Sequence, residues 1–126
     1  MKKYITMILL SLTMVLSMSA VADDTSTLRI VRVQTDDVGA YIAQLSEGKN
    51  LIKAVDEKFT VRAWQATFAG DETGAVIVAI EYPGSFSEYA VGWEKLMANS
   101  AISSWLGGLS GLRTIVSDSL YKEHGL

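Results

Sequence analysis

The stretch from residue 59 to residue 82 most tightly limits what this chain can fold into. Residues 59–68 (FTVRAWQATF) and 75–82 (AVIVAIEY) are dense in β-branched and aromatic side chains. Such residues suit the pleated, half-buried surface of a strand. Between them stands Gly70-Asp71-Glu72-Thr73-Gly74. So short a connection, bounded by glycines, joins antiparallel strands, and the segment is therefore predicted to be a β-hairpin. Pro83-Gly84 ends it.

The flanking sequence supplies partners. Residues 28–34 (LRIVRVQ) read as a strand. Thr35-Asp36-Asp37 offers N-cap oxygens and negative charge for a helix start. Val38, Tyr41, Ile42, Leu45, Ile52 and Val55 then recur at three- and four-residue spacing, one apolar stripe on a helix of about 18 residues. Gly48 falls off that stripe. Ser85 followed by Glu88 fits a capping box, with Phe86, Tyr89, Trp93, Leu96 and Met97 on one helical face. Asn99-Ser100 can cap a short further helix carrying Ile102, Trp105, Leu106 and Leu109, which Gly107-Gly108 and Gly111 are expected to break. Residues 113–121 (RTIVSDSLY) are the last strand. The order β-α-β-β-α-(α)-β predicts an α+β, ferredoxin-like βαββαβ domain, a four-stranded antiparallel sheet with its helices on one face.

That layout leaves the second sheet face uncovered. Pairing Ala69 with Gly74 sets Arg62 opposite Glu81 and Trp64 opposite Ala79, a register that joins opposite charges. Val61, Ala63, Val76, Val78 and Ile80 then face the helices, and Arg62, Trp64, Ala66, Phe68, Ile77, Ala79 and Glu81 face away. Apolar patches of that kind mark contact surfaces. Trp64, Phe68 and Ile77 are accordingly the expected homodimer interface, since two-fold association is the commonest closed symmetry. Sheet on sheet would enclose a barrel-like space. Arg62, Trp64 and Glu81 are the candidate ligand-binding residues there, with a structural cross-strand ion pair and an interface tryptophan as the plainer reading of the same three.

The N-terminus predicts export. Lys2 and Lys3 precede an uncharged, mostly apolar run over residues 4–18, and Ala20-Val21-Ala22 offers the small residues of a signal-peptidase site. The run is shorter than the roughly 20 apolar residues of a membrane-spanning helix. Residues 1–22 are thus expected to be a signal peptide cleaved after Ala22, residues 23–27 a flexible leader, and residues 28–126 the domain, in the periplasm or secreted and without a stable membrane anchor. Cleavage takes two of 11 basic residues and none of 14 acidic ones, leaving 104 residues with nine basic against fourteen acidic side chains, a net charge of −5. An acidic surface argues against nucleic acid as partner. No cysteine and a single histidine, His124, speak against a zinc or copper site, so no metal and no cofactor is expected. Ser117, Asp118 and Ser119 alternate faces along a strand and make no triad with His124.

The element order, the hairpin RAWQATFAGDETGAVIVAIEYP and the stretch EKLMANSAISSWLGGL before RTIVSDSLY resemble the dimeric α/β-barrel superfamily. The nearest flavour is small exported proteins similar to the NIPSNAP and antibiotic-biosynthesis-monooxygenase branches, over roughly residues 28 to 123. The resemblance implies a dimeric barrel and admits three functions. The first is a binding or interaction module taking a small apolar or aromatic molecule between the sheets. The second is a cofactor-independent oxygenase or isomerase. The third is a structural or stress-related envelope protein. The missing cofactor motifs, and the missing acid–base pair with a nucleophile, favour the first. The haem-degrading branch carries an Asn-Trp-His arrangement. His124 lies past the final strand and does not match it, so that activity is not carried over.

Overall fold

The computed structural model describes residues 25–67 and 70–126. The expected export segment, its cleavage point after Ala22, and the interface candidate Phe68 lie outside the described residues. The elements run β1 (Thr27–Gln34), α1 (Val38–Val55), β2 (Thr60–Gln65), a 3-10 turn (Gly70–Glu72), β3 (Val76–Tyr82), α2 (Phe86–Met97), α3 (Ser100–Leu109) and β4 (Thr114–Lys122). The strands form one antiparallel sheet in the order β2-β3-β1-β4. This is the ferredoxin-like fold, with α3 added before the last strand.

Each helix starts where a side chain can satisfy a free backbone amide. Asp37 accepts from Ala40 N at 3.0 Å. Ser85 accepts from Glu88 N at 3.2 Å, the first half of the expected box, and its hydroxyl, not its backbone amide, donates to the Glu88 carboxylate. Asn99 accepts from Ile102 N at 3.1 Å. The apolar stripes of the helices then meet one face of the sheet. Tyr41, Leu45, Ile52, Tyr89, Leu96, Ile102 and Leu109 join Val31, Val33, Val61, Val76, Val78 and Ile80 in a single core. Burying each such side chain contributes about 1.5–3 kcal/mol.

Three local expectations need correction. Arg62 lies opposite Ala79 and Trp64 opposite Ile77, two residues away from the expected register. The hairpin closes earlier than expected, at Ala66 and Ala75 (N–H···O 2.8 Å), and β2 ends at Gln65. A shift of two keeps each side chain on its face, so the sorting stands for the paired residues 61–65 and 76–81. Secondly, Gly107-Gly108 do not break α3, which continues to Leu109. Buried Leu109 holds the end of that helix in place, offsetting glycine's poor propensity. Thirdly, Gly48 is buried, and a Cβ there would overlap the Trp105 ring. It is the seat on which α3 packs against α1, and the Trp105 indole N–H fixes the contact by donating to Gln44 O at 2.7 Å.

Candidate functional site

Two places combine a guanidinium, a carboxylate and an indole. The first is the one expected from sequence, on the open face. Arg62 Nη2 donates to Glu81 Oε2 at 2.8 Å, diagonally across β2 and β3 and not from the directly opposite position. The guanidinium carbon is 5.5 Å from the centre of the Trp64 ring. The structure therefore brings Arg62, Trp64 and Glu81 together. Trp64 is 50% exposed, and Ile77 is partly buried beside it. His124 is exposed past β4.

The second lies on the covered face and was not singled out from sequence. Between the sheet and the helices is an apolar recess of about 70 Å³. Val31, Val61, Val78 and Ile80 form its floor, and Leu96, Ile102, Trp105 and Leu106 its walls and roof. Its charged lining residues are Arg29, Asp118 and Arg113. Arg29 lies in phase with buried Val31 and Val33 on β1, so it must project toward the helices. It grips Asp118 with both arms, Nε–Oδ1 at 2.9 Å and Nη2–Oδ2 at 2.6 Å. Its third arm reaches Tyr89 Oη at 3.4 Å, and the guanidinium carbon sits 4.4 Å from the Trp93 ring centre. Tyr89 stacks on Trp93 at 5.9 Å, one edge of an aromatic cluster built around Phe59 and Tyr82.

A bulge in β4 completes this rim. Arg32 pairs with Ser117 but Val33 pairs with Ile115, so Val116 has no partner on β1. Residues five apart on a regular strand point to opposite faces. The extra residue reverses that parity. Arg113 and Ile115 thereby join Asp118 on the helix side, where all three line the recess. The signal for Arg29 was present in sequence, as a charged residue in phase with a buried valine pair. The bulge leaves no such mark.

The electrostatics follow from these contacts. The hydrogen bonds from Arg29 hold the Asp118 carboxyl below the usual carboxylate range, against the opposing effect of burial, and the charges of Arg29 and Arg113 act in the same direction. Asp118 in turn raises the Arg29 pKa. Burial pushes the Tyr89 phenol up, with Arg29 pulling the other way. Near neutral pH the rim therefore carries two fixed cations, one fixed anion and a neutral phenol. Among the described residues no cluster of three His, Cys, Asp or Glu side chains could hold a metal ion.

The fold has solved counterparts. A NIPSNAP family protein from Agrobacterium tumefaciens is 17% identical, with a TM-score of 0.62 over 81% of this chain and 85% of its own. SnoaB, a cofactor-independent oxygenase from Streptomyces nogalater, is 9% identical, with a TM-score of 0.60 over 80% of this chain and 95% of its own. An antibiotic biosynthesis monooxygenase-like protein from Chloroflexus aurantiacus is 12% identical, with a TM-score of 0.55 over 79% and 94%. The chain thus shares the ferredoxin-like fold of these proteins, as the resemblance in its sequence implied. No protein-family model matches the chain, and no curated protein matches it.

Proposed function

We propose that this chain is an exported, dimeric binding module that takes a compact apolar or aromatic molecule. The observation that carries this reading is the apolar recess with a few converging charged groups at its rim, the usual composition of a small-molecule site. On this reading the ligand sits between sheet and helices and not between two sheets. At about 70 Å³ the recess is well below the ~300 Å³ of ordinary ligand pockets. The ligand is therefore small, and α3 must yield to admit it. A Cβ at Gly107, Gly108 or Gly111 would meet nothing within 4 Å, so packing does not demand glycine there, and the movement has to begin beside the anchors Trp105 and Leu109. Likeness to SnoaB raises an oxygenase as the second reading. Asp118 held ionised and Tyr89 held neutral are poorly poised as a general base or acid near pH 7, which favours binding over proton transfer by these groups.

The mature protein is to be titrated with small aromatic and branched aliphatic molecules while Tm and tryptophan emission are followed. A ligand should raise Tm and change emission. The emission change should survive Trp64→Phe and shrink in Trp93→Phe. No response to any member of the panel would remove the binding reading.

The open face supports the dimer. Trp64, Ile77 and the half-exposed Tyr121 lie on it. Light scattering is expected to give twice the chain mass, and Trp64→Asp to halve it by burying an unpaired charge. A wild-type monomer at micromolar concentration would contradict this. Mass spectrometry of the native protein is expected to find Asp23 as the first residue, and a chain beginning at Met1 would contradict export.

A further inference from the structure

The two cations at the rim of the recess are not equivalent. Arg29 is committed, since both its arms hold Asp118, Nη1 reaches Tyr89 and its face covers Trp93. Arg113 is partly buried and donates one side-chain hydrogen bond, Nη1 to Tyr41 Oη at 3.1 Å. Among the described residues no carboxylate lies within 4 Å of it. Asp118 is close enough to respond to its charge, but both oxygens of that carboxylate are bound by Arg29. A partly buried guanidinium with no direct carboxylate partner keeps donors to spare, and an anion placed beside it gains charge-assisted hydrogen bonds.

Its position adds to this. Arg113 lines the apolar recess on one side and an open polar cleft of about 320 Å³ on the other. Gln34, Thr35 and Ser110 border the cleft, together with Asp36 and Asp37, whose charge favours a single anion seated on Arg113 over a polyanion spread across the cleft. A molecule at this junction has its hydrocarbon body in the recess and its polar end on the guanidinium. The β4 bulge is what turns Arg113 toward that place.

Building on the binding role proposed above, we propose that Arg113 selects the ligand, and that the ligand class is small apolar carboxylic acids, their body no larger than about a single ring. The carboxylate pairs with the free donors of Arg113, while Arg29 and Asp118 form the neutral side of the rim.

Benzoate and its neutral isostere benzamide test this on the mature protein, by calorimetry and tryptophan emission. Wild type is expected to bind benzoate about tenfold more tightly, the worth of one charge-assisted hydrogen bond. Arg113→Met should abolish the preference by weakening benzoate much more than benzamide, whose carbonyl accepts from the same guanidinium without a charge of its own. Arg113→Gln, which can keep the hydrogen bond to Tyr41, should do the same and serves if the methionine variant is unfolded. Arg62→Met, on the open face, should keep the preference. Equal affinities in wild type, or a preference that survives both Arg113 variants, would overturn the assignment of Arg113 while leaving the binding role intact. Binding of neither probe by folded wild type would overturn the ligand class, and the binding role falls with it if the wider panel also gives no response.

Discussion

Arg29, Asp118 and Trp93 on the covered face of the sheet repeat, in kind, Arg62, Glu81 and Trp64 on the open face. Each trio sets an arginine against a carboxylate, at 2.6 Å and 2.8 Å, with the guanidinium near an indole ring. The difference is water. The Arg29 and Asp118 side chains are 23% and 34% exposed, those of Arg62 and Glu81 53% and 39%. The covered pair is held by two parallel hydrogen bonds and borders an apolar recess, and the open pair has one such bond. The same chemistry is therefore expected to matter for stability and binding on one face, and chiefly for association on the other.

The largest effects should come from what supports the covered trio. Phe59 is fully buried, with Tyr82, Tyr89 and Trp93 around its ring at 4.8, 6.0 and 6.5 Å. Phe59→Ala is expected to cost about 3–5 kcal/mol in chemical denaturation, the range for emptying an aromatic site in a core. A loss below about 1 kcal/mol would mean that the cluster does not hold Trp93 under Arg29, and the contrast between faces would weaken.

Next is the seat of α3. In Gly48→Ala the new methyl group and the Trp105 ring would overlap, so the helix has to shift. The expected cost is about 1–3 kcal/mol, as for other overpacked cores. Trp105→Phe in the same background should recover part of it, because the smaller ring relieves the overlap. No recovery would place the strain elsewhere.

What was legible in the sequence divides along the same line. The open trio sits on two strands of one hairpin, so alternation and a short turn were enough to bring Arg62 near Glu81. Even the misassigned register did not separate them, because a shift of two preserves the face. The helix starts at Asp37, Ser85 and Asn99 were equally readable, since a cap is a local interaction. The covered trio is not local. Arg29 and Asp118 stand 89 residues apart, and Arg113 reaches the rim through a bulge that alternation would deny. The role of Gly48 was likewise hidden, because a glycine's lack of side chain shows its purpose only once Trp105 is placed against it.

The covered pair should also reveal itself through pH. The folded pKa of Asp118 lies below its ordinary value of about 3.9, with the hydrogen bonds from Arg29 as the leading cause. A depressed carboxyl contributes stability that is fully present above the unfolded-state pKa and is lost as pH falls through the folded value. Asp118→Asn is therefore expected to lower Tm at pH 7 and to lose that deficit progressively below about pH 4. A deficit unchanged at about pH 2.5 would show that shape, and not charge, is what Asp118 supplies.

The smallest effect is expected at the open pair. Arg62→Ala and Glu81→Gln each remove one partner of an exposed, diagonal ion pair, and such pairs are worth about 0–1 kcal/mol. Side-chain entropy opposes holding two long groups in one geometry, and salt screens what attraction remains. Two measurements turn this into a comparison of the faces. In chemical denaturation at about 0.1 M salt, each variant should stay within about 0.5 kcal/mol of wild type, and the double variant should show little coupling. In sedimentation, the proposed sheet-to-sheet association should be more sensitive than stability, because a charge left without its partner beneath a second copy of the sheet would lose the water that now solvates it. If both variants instead unfold at much lower denaturant while remaining associated, the open pair is structural in the way that Arg29 and Asp118 are. The exposure difference between the two faces would then have misjudged which trio the fold depends on.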